Sequence, residues 1–334
     1  MARRLLLNRT GATMLTRILV PTDFSPPSEA ALAYARALGA TFGAPLHLLH
    51  VATERVLPPY AAGDAGEAGA AALRDLRTRL SPDDRRRGVV GHVVESPDPA
   101  AEIAQYAAAN GSDLIVMGTH GRGGLAHLFM GSVAEKVVRT APCPVLTVHR
   151  PPGGSGVRFR RILVPTDFSD ASDGALACAR LMADRFGASM HLLHVLEDLR
   201  IEGPLGAEVF VSETPDTRTA RLRDARERLS HRLTAEDRRD RQATGEVIFG
   251  HCAGVIAEYA EDNEFDLIVL GTHGRTGLRH LIMGSVAERV VRNAPCPVLT
   301  TRIPCAETKG SEVDPVISAP EARTSRSGSA PGRG

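Results

Sequence analysis

The sequence predicts an α/β fold made twice: two tandem doubly wound domains, each a five-stranded parallel sheet covered by helices on both faces. Three observations carry this. Short apolar runs alternate with longer helix-like stretches, the pattern of a parallel sheet buried between helices. Much of that pattern then occurs a second time. RILVPTDFS at Arg17–Ser25 returns at Arg161–Ser169, and HLLHV at His47–Val51 returns at His191–Val195, both 144 positions later. Finally, the glycine-bearing stretch Asp113–His149 returns at Asp266–Arg302, 153 positions later. The difference, 153 − 144 = 9, places nine additional residues between the second and fourth strands of the second copy, in Glu197–Arg218.

In the first copy, Ile18–Pro21 reads as a strand. Ser25 and Pro26 then open a helix, a cap residue followed by an early proline, which runs to Phe42 and stops at Gly43. Leu46–Val51 is a second strand, Glu67–Leu80 a helix and Gly88–Val94 a third strand. Pro99–Asn110 is a helix stopped by Gly111, Leu114–Met117 a fourth strand, Gly131–Thr140 a helix and Val145–Val148 a fifth strand. The domains are residues 15–150 and 158–303. Between them Pro and Gly mark residues 151–157 as a linker, residues 1–14 read as a disordered leader, and the Ser-, Pro- and Gly-rich tail of 304–334 is expected to be disordered.

Composition narrows the function. Of the 334 residues, 43% are hydrophobic and 24% charged, enough apolar material for two cores. Lys and Arg number 40 against 39 Asp and Glu, a net charge of +1 that gives no bulk attraction to nucleic acid or an anionic membrane. No stretch approaches the ~18 consecutive apolar residues of a membrane span, and the leader lacks a signal-peptide core, so the expected location is cytoplasmic. The five cysteines form no CxxC pair, and Cys143 and Cys296, both in APCPVLT, are expected to be packing residues.

The chemistry points to the glycines. Gly118 and Gly121, nine further residues, then Gly131-Ser132 repeat as Gly271, Gly274 and Gly284-Ser285. This is neither a Walker A loop nor a dinucleotide fingerprint. A strand, a glycine loop and a helix start together suit an anion, because a helix N-terminus presents unpaired N–H groups and positive potential. Taken alone, G-x-x-G marks only a turn needing positive φ; its recurrence in both copies favours ligand binding. Pro21-Thr22-Asp23 and Pro165-Thr166-Asp167 end the first strand of each copy. If first and fourth strands are neighbours where the strand order reverses, one crevice holds both motifs, with Asp23 or Asp167 receiving sugar hydroxyls and the loop receiving phosphates. The competing reading of each Asp is a brace for the turn into the next helix. His120 and His273 read as loop-packing residues or as neighbours of the phosphates, rather than catalytic or metal-binding ones, since neither lies in a ligand-spaced cluster. At least one of each pair His47/His50 and His191/His194 is expected to be a structural hydrogen-bonder, and Arg85–Arg87 and Arg238-Arg239 to be solvated surface.

The pattern G-2x-G-9x-G-S, matched in both halves together with PTDFS, resembles the universal stress protein family of tandem ATP-binding type, over residues 15–150 and 158–303. The resemblance implies a Rossmann-like, adenine nucleotide alpha hydrolase-like fold that binds ATP, with Mg²⁺ accompanying the triphosphate. It places the first site at Pro21, Thr22, Asp23, Val51, Met117, Gly118, Gly121, Arg122, Gly131, Ser132 and Val133. The second is placed at Pro165, Thr166, Asp167, Val195, Leu270, Gly271, Gly274, Arg275, Gly284, Ser285 and Val286. It further implies a stress-response regulator acting through protein partners, and an internal pseudo-dimer with Val145–Val148 and Val298–Thr301 near the contact. A homodimer of whole chains is compatible with this. A slow ATP hydrolase or adenylyl-transferring enzyme is the alternative, although no general base with a positioned partner is visible. After the third strand the halves diverge, Glu95-Ser96-Pro97-Asp98-Pro99 against Phe249-Gly250-His251-Cys252, so the two pockets are expected to differ in one wall.

Overall fold

The computed structural model describes residues 15–53, 65–119, 130–151, 156–197, 200–202, 208–210, 213–272 and 283–302. The first half runs β1 (Ile18–Pro21), α1 (Pro26–Phe42), β2 (Leu46–Ala52), α2 (Ala65–Arg79), α3 (Pro82–Arg86), β3 (Val90–Glu95), α4 (Pro99–Asn110), β4 (Leu114–Gly118), α5 (Ser132–Thr140) and β5 (Val145–Val148). The second runs β6 (Arg161–Pro165), α6 (Asp170–Phe186), β7 (Ser189–Leu196), β8 (Arg200–Glu202), β9 (Glu208–Phe210), α7 (Pro215–Arg232), α8 (Ala235–Asp240), β10 (Thr244–Phe249), α9 (Cys252–Asp262), β11 (Leu267–Gly271), α10 (Ser285–Asn293) and β12 (Val298–Thr301).

The strand and helix boundaries expected of the first half fall within a few residues of these. Two short features go beyond the expectation. One is the helix α3 and its counterpart α8, each opened by a capping box in which Ser81 or Thr234 and an aspartate three residues on bond each other's backbone N–H. The other is the antiparallel hairpin of β8 and β9, which falls inside the stretch assigned the additional residues.

The strands form one ten-stranded sheet, ordered β10-β7-β6-β11-β12-β5-β4-β1-β2-β3. Within this sheet, which leaves out the β8–β9 hairpin, pairing is parallel in each half and antiparallel only between β5 and β12, so the halves join edge to edge through their last strands. Leu146 faces Leu299, which is its equivalent 153 positions on. Thr147 Oγ1 donates to Val298 O and Thr300 Oγ1 to Val145 O, both at 3.1 Å, a reciprocal pair relating equivalent residues. On one face, the equivalent residues Phe42 and Phe186 also meet, with ring centroids 6.3 Å apart.

Each face of the sheet is covered by a core that spans both halves. One packs α1, α2, α6 and α7 on the sheet and includes Leu38, Leu76, Phe159, Leu192 and Leu229. The other packs α4, α5, α9 and α10 and includes Ile103, Val137, Ile256 and Val290. Within each half an aspartate fixes the starts of the two central strands. Asp113 Oδ2 accepts from Thr16 N at 2.7 Å and Arg17 N at 3.1 Å, and Asp266 Oδ2 accepts from Arg160 N and Arg161 N.

Candidate functional site: a crevice at each strand-order reversal

In both halves the first and fourth strands are neighbours. β1 pairs with β4 and with β2 on its other side, and β6 pairs likewise with β11 and β7. The order therefore reverses between β1 and β4 and between β6 and β11, and a crevice opens outside their carboxyl ends, as such topology requires. Pro21, Thr22 and Asp23 lie on one lip and Met117 and Gly118 on the other; Pro165, Thr166, Asp167, Leu270 and Gly271 repeat this. Gly121, Arg122, Gly274 and Arg275, with His120 and His273, lie outside the described residues.

The loop after β4 is pinched shut at its base: Gly131 N donates to Thr119 O at 2.6 Å, and Gly284 N to Thr272 O at 2.8 Å. This bond brings the start of α5 to the end of β4. The cap residues Gly131 and Gly284 have no side chain, so no side-chain cap covers the first N–H groups of α5 and α10, and exposed Ser132 and Ser285 begin those helices. Val133 and Val286 follow, partly buried against the core.

Gly118 and Gly271 owe their identity to packing rather than to positive φ. Gly131 and Gly284 sit at φ −62°, ordinary extended backbone. A Cβ on Gly118 would stand 2.7 Å from the backbone carbon of Pro27, and one on Gly271 2.8 Å from that of Ala171. The helix after the first strand thus packs its first turn onto the end of the fourth strand, and that close approach needs glycine.

The aspartates do brace the turn. Asp23 Oδ1 accepts from Ser25 N at 3.1 Å and Ser25 Oγ at 2.5 Å; Asp167 Oδ1 does the same for Ser169, at 3.1 and 2.6 Å. One carboxylate oxygen of each is therefore committed to the turn. Between Asp and Ser the structure holds a feature that the sequence reading passed over. Phe24 and Phe168 both adopt φ 66°, the left-handed region that costs a non-glycine residue about 1–2 kcal/mol. Each ring stacks on a histidine, Phe24 on His50 at 4.4 Å and Phe168 on His194 at 4.3 Å, and each histidine Nδ1 bonds the carbonyl of Thr22 or Thr166. Arg79 covers the Phe24 ring at 4.5 Å, and Arg228 and Arg232 cover Phe168 at 4.3 and 5.1 Å. The only trace of this in the sequence is that Phe recurs after Asp in both copies. At least one hydrogen-bonder is expected in each histidine pair, and all four are bonded: besides His50 and His194, His47 bonds Tyr106 and His191 bonds Thr244 and Tyr259.

A model of the universal stress protein family matches residues 14–149 and again 158–302. The chain belongs to the universal stress protein family. A universal stress protein of Mycobacterium tuberculosis is 27% identical over 298 residues, covering 85% of this chain and 96% of the relative. One of Methanocaldococcus jannaschii is 34% identical over 151 residues, covering 45% of this chain and 85% of the relative. Among solved structures, a universal stress protein from Archaeoglobus fulgidus superposes with TM-score 0.61 at 22% identity, covering 86% of this chain and 97% of that one, which is a likeness of fold.

In this universal stress protein the two crevices differ at the wall formed by the third strand and the helix after it. In the first half Asp98 caps α4, its Oδ1 accepting from Ala101 N, and its other oxygen lies 3.5 Å from Lys136 Nζ on α5. In the second, His251 takes the position of Asp98 and its Nε2 lies 3.1 Å from Arg289 Nη1, while Cys252 N donates to Glu197 at 3.2 Å. The Cys252 thiol lies 3.9 Å from Val195 O, at the end of the second strand, and burial followed by its bond to Glu197 pushes its pKa up to about 12. Asp167 adds to that rise. Val51, the counterpart of Val195, is partly buried against the same face of the first half. Cys143 and Cys296 are the packing residues expected, their thiols raised to about 12 by burial. Among the described residues no three His, Cys, Asp or Glu side chains converge as a metal site, and no described helix is long and apolar enough to cross a membrane.

Proposed function

We propose that the chain binds ATP in each crevice and acts as a nucleotide-dependent stress-response regulator through protein partners. The observation that carries this is the glycine-capped start of α5 and of α10, held by the Thr119–Gly131 and Thr272–Gly284 bonds at the end of the fourth strand. Amide N–H groups without a side-chain cap, at the positive end of a helix dipole, fit a phosphate. The aspartate on the opposite lip supplies an acceptor for ribose hydroxyls, the role assigned to Asp23 and Asp167. Backbone at Val51 and Val195 would lie against the base. Mg²⁺ would arrive with the nucleotide, whose phosphates supply most of its ligands.

The test uses charge at the phosphate end, because alanine at Gly118 or Gly271 disturbs packing. Ser132→Asp with Ser285→Asp places a carboxylate in the first turn, where it favours the helix and repels phosphate. With ATP at about a hundred times its dissociation constant, the wild-type chain gains about 2.7 kcal/mol of stability for each occupied crevice, about 5 kcal/mol for the two, read as a rise in Tm. The double variant folds with unchanged or higher Tm and loses that ATP-dependent rise. A rise of equal size in the variant overturns the reading.

A further inference from the structure

The first half carries a cavity of about 580 Å³ at the end of the sheet opposite the nucleotide crevice. Arg36, Ala40, Leu46, Asp83, Asp84 and Arg87 line it, where the C-terminal part of α1 meets α3 and the start of β2. In the second half the corresponding position is filled by a side chain of the chain itself. Arg241, only 10% exposed, places Nε and Nη2 on Asp184 at 2.7 and 2.9 Å, Nη2 also on Glu236 at 2.9 Å, and Nη1 on Asp237 at 3.0 Å.

The two seats are built from equivalent residues. Asp84 and Asp237 each hold the capping box of the short helix and each take a bidentate arginine from the first helix of their half, Arg36 of α1 or Arg180 of α6. Asp83 corresponds to Glu236, and Ala40 to Asp184. One difference explains why only one seat is filled from within. α8 is a residue longer than α3, so its cap arginine lies four residues beyond the buried Asp237 and turns inward. Arg87, the cap of α3, lies four residues beyond Asp83 and turns outward to it, with Nε 2.6 Å from its Oδ2. Asp84 Oδ1 accepts from Arg36 Nε at 2.9 Å, whereas the equivalent oxygen of Asp237 accepts from both Arg180 and Arg241.

We propose that the first-half cavity is a binding site for a guanidinium group on an alkyl chain, the chemistry of an arginine side chain, seated as Arg241 is seated in the other half. The planar fork reaches Asp84 Oδ1 and Asp83 together, and the methylenes lie on Ala40 and Leu46. An ammonium, with its compact charge, satisfies only one of these carboxylates well. With Ala40 in place of a third carboxylate the site is weak, and arginine borne by a protein partner or free arginine both present the required group.

The test titrates the full chain with N-acetyl-arginine amide, free arginine and N-acetyl-lysine amide, followed by amide NMR shifts and calorimetry. Expected are saturable shifts confined to the end of α1, α3 and the start of β2, with the arginine compounds ahead of the lysine one. Equal affinity for free and blocked arginine assigns the site to small guanidinium compounds as well, and preference for the blocked form assigns it to a protein-borne arginine. Ala40→Asp with Arg87→Ala supplies the third carboxylate and removes the closer of the two guanidinium groups on Asp83, Arg86 lying at 3.3 Å, tightening binding by about tenfold, the worth of one charge-assisted hydrogen bond. Arg241→Ala opens the second seat, so the stoichiometry rises from one arginine per chain to two. Equal response to arginine and lysine, shifts spread over the surface, or an unchanged affinity in the double variant would overturn the proposal.

Discussion

Gly118 and Gly271 show how one residue type serves two ends. They belong to the repeated glycine motif proposed to hold phosphate, yet what demands glycine at these two positions is the backbone of Pro27 and of Ala171 less than 3 Å from where a Cβ would stand. Gly118→Ala and Gly271→Ala are therefore expected to cost about 1–3 kcal/mol each through overpacking. Urea unfolding without nucleotide checks this; a midpoint equal to wild type would return both glycines to a purely ligand-binding role. Asp23 and Asp167 are of the same kind, one oxygen tied to the serine two residues on. The repeated motifs pointed to these residues in the sequence, but their packing neighbours are remote along the chain, and a repeat cannot reveal what a Cβ would strike. The left-handed Phe24 and Phe168 went unread for a similar reason, since nothing local in DFS marks φ 66°.

Among the elements, α3 and α8 are short helices fixed by buried charge. Asp84 is 2% and Asp237 0% exposed. Burial alone would raise their carboxyl pKa values, but the hydrogen bonds from Arg36 or Arg180 and from the cap outweigh it, leaving Asp84 below the usual carboxylate range and Asp237 at about 2. A folded-state pKa below the unfolded value of about 3.9 contributes stability that is fully present above that value. It is lost as pH falls through the folded value, so acid unfolding is expected to steepen between about pH 4 and about pH 2. Arg180→Met leaves the Asp237 carboxylate buried without its main partner and is expected to cost about 3–5 kcal/mol at neutral pH. The same variant flattens the acid dependence over that window; an unaltered pH profile of the urea midpoint would show that Arg180 does not hold the carboxylate down. Neither helix was legible as an element, because PDDRR and AEDRRD are too short and polar to carry a periodicity. Their caps become visible only beside the arginine of a helix some fifty residues upstream.

At the scale of the whole molecule, the two tandem domains share one ten-stranded sheet and two continuous cores. The seam is the β5–β12 pair, with buried Thr147 and Thr300 each donating across it. Thr147→Val with Thr300→Val removes both bonds and is expected to lower stability by about 1–3 kcal/mol, at roughly 1 kcal/mol for each bond. Because the cores cross the seam, unfolding should still occur in a single transition for wild type and variant alike. Two resolved calorimetric transitions in the wild-type chain would show instead that the halves unfold independently.

The duplication, the order of strands and helices, and the residues at the ends of the first and fourth strands all follow from local pattern, because alternation of apolar runs and glycine stops is written in consecutive residues. The sequence could also show that the walls after the third strand diverge. Tertiary structure alone decided that β1 lies beside β4, that β5 meets β12 in antiparallel register, and that Arg241 turns inward where Arg87 turns outward. Each of these depends on groups far apart along the chain, or on a single residue of helix length that rotates a side chain from one face to another.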